Sequence, residues 1–158
     1  MTERLDLGAT MRVYADEAVA IAQEDFHIQL DYSEDSLEDV EAILDALYNA
    51  LPRDEWGDLD AAAELQKWLD EMSVFWGAYV GEVILHYWDG EWTLQVPPDF
   101  KETTALRVGS LQVFPISKIY RRLLEGLEHD IVAFYEEIIW HLSQIGGPED
   151  PPPLAIAG

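Results

Sequence analysis

Apolar residues recur at three- and four-residue spacing from Met11 through Tyr14, Ala18, Ile21 and Ala22 to Phe26, predicting an amphipathic helix over residues 10–26 with Thr10 as its cap. The period then changes. Ile28, Leu30 and Tyr32 alternate with Gln29 and Asp31, so residues 27–32 read as a short half-buried strand. Ser36 followed by Asp39 resembles a capping box, and Val40, Ile43, Leu44, Leu47 and Leu51 form the stripe of a second helix, ended by Pro52. After a polar link at 53–58 comes the longest periodic segment, from Leu65 through Trp76 and Val83 to Tyr87. Its apolar face is broad enough to predict a central, mostly buried helix.

Asp89-Gly90 is a turn pair, and Trp92, Leu94 and Val96 alternate with polar residues until Pro97-Pro98, predicting a strand. Ala105–Val108 and Leu111–Phe114 flank Gly109-Ser110, a Gly-X pair suited to a type II′ hairpin. From Pro115 the helical pattern returns and runs to Gly126, a C-cap glycine, and a last helix spans about 129–144 before Gly146-Gly147. The expected fold class is α+β: N-terminal helices and a long central helix on a small three- or four-stranded antiparallel sheet, then two C-terminal helices. Residues 1–147 form one domain, and 148–158 a Pro-rich, flexible tail without the flanking base of a Pro-rich ligand.

The chain of 158 residues is 49% hydrophobic, with 6 Trp, 7 Tyr and 5 Phe, enough burial potential for one core. Cysteine is absent, which removes disulfides, thiolate zinc sites and cysteine nucleophiles and fits a cytoplasmic protein. Residues 1–7 mix Glu3, Arg4 and Asp6 with few apolar positions, unlike a signal peptide. Met72–Trp88, the most apolar stretch, is broken by Gly77, Gly81 and Glu82, and it falls short of the ~20 apolar residues that a bilayer span needs. No membrane association is therefore expected.

Nine Lys and Arg against 32 Asp and Glu give a formal charge of -23, which repels nucleic-acid phosphates, so no nucleic acid is expected as a partner. The acid is lopsided: residues 1–75 hold 20 acids and 4 bases, and residues 76–158 hold 12 and 5. Such a surface is in the first place a solubilising coat. Its sharper reading is a docking face for a basic protein.

Candidate chemistry is sparse. Glu82 with His86 and Glu137 with His141 lie four apart on predicted helices. Di-metal bundles instead use Glu-x-x-His plus further inward glutamates, so these read as surface pairs, and no metal or other cofactor is assigned. There is no GxSxG elbow and no glycine-rich phosphate loop. Gly77 and Gly81 each cost a helix about 1 kcal/mol, so a closely packed neighbour must offset them. The plain reading lays a strand or helix across them, with Glu82 capping or pairing with Lys118 or Arg121. The functional reading makes Glu82 a groove-lining anchor. Trp76, Tyr79, Tyr87, Trp88 and Trp92 read first as core and second as an interface patch.

Leu30-Asp-Tyr-Ser33, Gly77-Ala-Tyr-Val-Gly-Glu-Val83, Gly90-Glu-Trp92, Val113-Phe-Pro-Ile-Ser-Lys118 and Asp130-Ile-Val-Ala-Phe-Tyr135 together resemble uncharacterised bacterial domain-of-unknown-function families. These share a Tyr-x-Gly-Glu-Val helix followed by a Gly-x-Trp strand. The resemblance spans roughly residues 28–137 and brings no established activity. It implies the helix–strand–hairpin–helix order and directs attention to Tyr79, Glu82, Trp92 and Lys118 as binding residues. Three functions stay open: a partner-binding module of immunity or inhibitor type, a structural domain without a specific ligand, and a small enzyme with a carboxylate site at Glu82.

Overall fold

Asp6 opens the first helix by accepting the Ala9 N–H at 3.1 Å, so α1 spans Leu7–Phe26 and begins three residues before the expected Thr10 cap. Thr10 lies inside the helix, its hydroxyl donating to the Asp6 carbonyl. The computed structural model describes residues 6–52, 57–95, 103–144 and 154–156. Helix α2 spans Ser36–Ala50, α3 Leu59–Tyr87, α4 Pro115–Glu125 and α5 Ile131–Gln144, with a 3-10 turn at Leu127–His129. Asp58 caps α3, accepting from the amides of Asp60 and Ala61. Asp130 caps α5 through Ala133.

Strands β1 (Gly90–Gln95), β2 (Thr103–Val108), β3 (Leu111–Val113) and β4 (Leu154–Ile156) form one sheet in the order β1-β2-β3-β4. The first three are antiparallel neighbours, with Trp92 opposite Leu106 and Val108 opposite Leu111. Gly109 turns the β2–β3 hairpin with φ +58, the positive value that the first position of a II′ turn needs. The α+β class holds.

Two expectations are corrected. Residues 27–32 are not a strand, although Leu30 is buried and Ile28 and Tyr32 pack against the core. His27 and Tyr32 take left-handed backbone angles, φ 56 and 63, and the Tyr32 amide bonds the Tyr79 hydroxyl instead of a sheet ladder. An extended loop buries alternate residues as a strand does, so the same polar–apolar alternation fits both. The tail also contributes structure: Leu154–Ile156 runs parallel to β3, with Leu111 beside Leu154 and Val113 beside Ile156. Val96, Pro97-Pro98, the 53–56 link and Gly146-Gly147 lie outside the described residues.

Helix α3 is the axis of the molecule, its most extensive contacts being with α1 on one side and α4 on the other. Small residues let α1 approach: Ala15, Ala18 and Ala22 are fully buried. The glycines of α3 do the same for its other neighbours. A Cβ on Gly77 would stand 2.6 Å from the Cα of Ile116 in α4, and one on Gly81 would stand 2.1 Å from the Trp92 ring of β1. The expected close approach to Trp76–Glu82 is therefore met by a helix at one glycine and a strand side chain at the other. Helix α2 closes the far side against α4 and α5. Among the described residues no helix is long and apolar enough to cross a membrane.

Candidate functional site

Residues 31–41 hold six acids, Asp31, Glu34, Asp35, Glu38, Asp39 and Glu41, and the loop that carries the first of them is fastened to three helices by tyrosines. Tyr79, fully buried on α3, accepts the Tyr32 N–H at 3.0 Å and lies 2.7 Å from the Ser36 hydroxyl. Ser36 in turn donates to the Ser33 carbonyl, so the Tyr79 O–H is the donor to Ser36. The rings of Tyr32 and Tyr79 stack at 4.8 Å. Tyr87, also on α3, accepts the Glu34 N–H at 3.3 Å, and Tyr135 of α5 donates to the Glu34 carboxylate at 2.5 Å. The Tyr32 hydroxyl reaches back to Asp16 of α1 at 2.7 Å.

This clamp has an electrostatic consequence. Burial, first of all, holds the Tyr79, Tyr32 and Tyr135 phenols above their ordinary pKa, so all three remain neutral donors in ordinary buffers. Asp31 shifts the other way, because the Ser33 hydroxyl and amide both hydrogen-bond its carboxylate. It stays charged to lower pH than an ordinary aspartate. Asp31, Glu34, Asp35, Glu38 and Asp39 are all exposed, whereas Glu41 turns inward to the buried Arg122.

Two clefts border the segment. One, of about 490 Å³, is lined by Arg12, Asp16, Asp31, Tyr32, Glu82 and His86 with Leu85. The other, of about 280 Å³, is lined by Glu34, Asp35, Glu38, Glu136 and Tyr135 with two apolar neighbours. Both are rich in carboxylate oxygens, which receive ammonium and guanidinium groups.

Of the four residues singled out from the sequence, one lines the first cleft and two others touch its lining. Glu82 lines it, Trp92 Nε1 donates to Glu82 Oε2 at 2.9 Å, and Tyr79 stacks beneath Tyr32. Glu82 thus takes the indole of the strand laid over Gly81. Lys118 lies apart on α4. It is buried, with Nζ 3.5 Å from His129 Nδ1 and 5.5 Å from the Phe134 ring centre. Desolvation lowers its pKa.

Lys118→Met keeps the stem volume and deletes the buried charge, so it should raise the unfolding free energy by about 1 kcal/mol near neutral pH. The folded chain binds fewer protons at Lys118 than the unfolded chain does, between the lowered pKa and the ordinary lysine value. Wild-type stability therefore rises with pH across that window, and the gain from methionine shrinks there. Urea unfolding of both proteins from neutral to alkaline pH measures the difference.

The sequence pattern named Tyr87 only as one of an aromatic cluster and gave Tyr32 and Tyr135 no binding role. The one local signal was the density of acids beside Tyr32. Of the two Glu–His pairs, Glu137 and His141 approach to 3.9 Å on α5. Among the described residues one group could gather ligand atoms for a cation, Glu125, Glu128 and His129. His129 is already bonded to Glu125 and its other nitrogen faces the Lys118 ammonium, which opposes a second positive charge there. The chain matches no protein-family model, no curated protein and no solved structure.

Proposed function

We propose that this protein is a partner-binding module, of immunity or inhibitor type, that works in the cytoplasm by holding a basic protein against residues 31–39. The observation that carries this reading is the clamp: five exposed acids sit on a segment whose backbone is tied down by Tyr79 and Tyr87 and whose Glu34 side chain is held by Tyr135. A solubilising coat needs charge but no fixed geometry. A docking face benefits from both, because a preorganised segment loses less conformational entropy on binding. The net charge of -23 adds long-range steering toward a cationic surface.

The test is affinity capture from native lysate with three proteins: the wild type, a variant with Asp31, Glu34, Asp35, Glu38 and Asp39 changed to their amides, and a control with Glu17, Glu24, Asp25, Glu64 and Glu71 changed likewise. Both variants lose the same charge. A basic protein should be retained by the wild type and the control, with affinity at least about tenfold weaker for the first variant, and it should elute with salt. Equal retention by both variants would reduce the acid to a general coat. Failure of the wild type to retain any basic protein would end the proposal.

A further inference from the structure

The sheet ends on a strand that does not belong to its antiparallel meander. β4 lies parallel to β3 over three residues, Leu111 beside Leu154, Gln112 beside Ala155 and Val113 beside Ile156. β3 is the element with which β4 makes its main contact. Without β4, the outer edge of β3 would present unpaired backbone N–H and C=O groups, a template for another strand. Leu111 and Val113 are fully buried and Gln112 between them is partly exposed, so the edge reads apolar–polar–apolar. The tail carries the matching parity, Leu154-Ala155-Ile156, in register.

We propose that the β3 edge is a strand-docking site whose ligand is Leu154–Ile156, and that a second copy of the chain can supply this segment, so the protein self-associates by strand exchange. A three-residue strand sits at the low end of local stability and opens often. Nine residues, 145–153, tether it to α5, and they include Gly146, Gly147, Pro148 and Pro151 to Pro153. Such a tether keeps the segment near its own edge at high effective concentration, so the closed monomer dominates when protein is dilute. The exchanged form replaces each contact with an identical one, and concentration favours it. Leu154, Ala155 and Ile156 bear no charge, and the one sequence seen on this edge is the chain's own.

Salt separates this association from capture of a basic partner. Two chains of -23 repel each other, so screening should promote exchange, whereas it weakens a contact between opposite charges. The experiment compares full-length wild type with the full-length double variant Ala155→Pro, Ile156→Pro by sedimentation velocity, over a range of concentrations at low and high salt. Adjacent strand amides alternate sides, so one of the two prolines removes an N–H that faces β3. A fluorescent peptide of residues 150–158 is then titrated into both proteins. Wild type should show a dimer that grows with concentration and salt. The double variant should remain monomeric, and bind the peptide at least about tenfold more tightly than wild type, whose edge is already filled. The same peptide carrying both prolines should not bind. A wild type that stays monomeric under all conditions, a dimer that survives the prolines, or a variant that ignores the peptide would each overturn the proposal.

Discussion

Arg122→Leu should lower the unfolding free energy by about 3–5 kcal/mol, the range for removing one partner of a buried ion pair. Arg122 is fully buried on α4. Its Nε lies 2.9 and 3.0 Å from the two Glu41 oxygens, and its Nη2 lies 2.6 Å from Glu41 and 2.9 Å from Asp45. Glu41 also accepts the Ile131 N–H at the start of α5, so one carboxylate joins α2, α4 and α5. These hydrogen bonds to Glu41 are the main reason the guanidinium pKa is raised above its ordinary value. Leucine would leave the Glu41 carboxylate short of water with only one amide for company. Lysine should not rescue it, because a single ammonium cannot reproduce the fork. Glu41→Leu together with Arg122→Leu should recover much of the loss, since a matched apolar pair strands no charge. Urea unfolding of the two single mutants and the double mutant gives the coupling directly.

Gly77→Ala should destabilise the fold by about 2 kcal/mol, although alanine gains about 1 kcal/mol of helix propensity over glycine. The added methyl would meet the backbone of Ile116 at 2.6 and 2.8 Å, in the first turn of α4. No rotamer change can relieve contact with backbone, so α4 as a whole must shift away from α3, and these helices share one of the most extensive packing surfaces in the molecule. Gly81→Ala differs in kind. Its methyl meets the outer atoms of the Trp92 ring, which can swing aside at the cost of the bond to Glu82. Thermal unfolding should therefore rank Gly77→Ala as the more damaging. A larger midpoint drop for Gly81→Ala would mean that α4 yields to a methyl at Gly77 more easily than Trp92 does at Gly81.

The glycines show what a one-dimensional reading can reach. A residue that weakens its own helix implies a neighbour, and at Gly77 and Gly81 the neighbours are a helix backbone and an indole. The course of α3, the β2–β3 hairpin and the Gly126 terminus were legible for similar reasons, since each depends on nearby residues. Period two at Ile28, Leu30 and Tyr32 was legible too, yet it does not distinguish a strand from an extended loop when the hydrogen-bond partners are remote. Those partners are tyrosines far along the chain: Tyr79 is 47 residues from Tyr32, and Tyr135 is 101 from Glu34. A hydroxyl that bonds across such separations leaves no spacing to read. Ser36 illustrates the same limit locally, because its side chain donates to the Ser33 carbonyl instead of capping α2. Lys118 sits beside the buried Ile119 on α4, and only packing against α5 shows that it points into the protein. β4 follows three prolines and has three residues, too few to establish a period.

Amide hydrogen exchange at Tyr32 and Glu34 bears most directly on the clamped acidic segment. Both N–H groups should exchange at least about tenfold more slowly than in an unstructured peptide, because each donates to a tyrosine oxygen held by α3. Tyr79→Phe should abolish the protection of Tyr32 and cost about 1–3 kcal/mol, leaving Glu34 protected through Tyr87. Exchange of the wild-type Tyr32 and Glu34 amides at the unstructured rate would contradict a preorganised docking face.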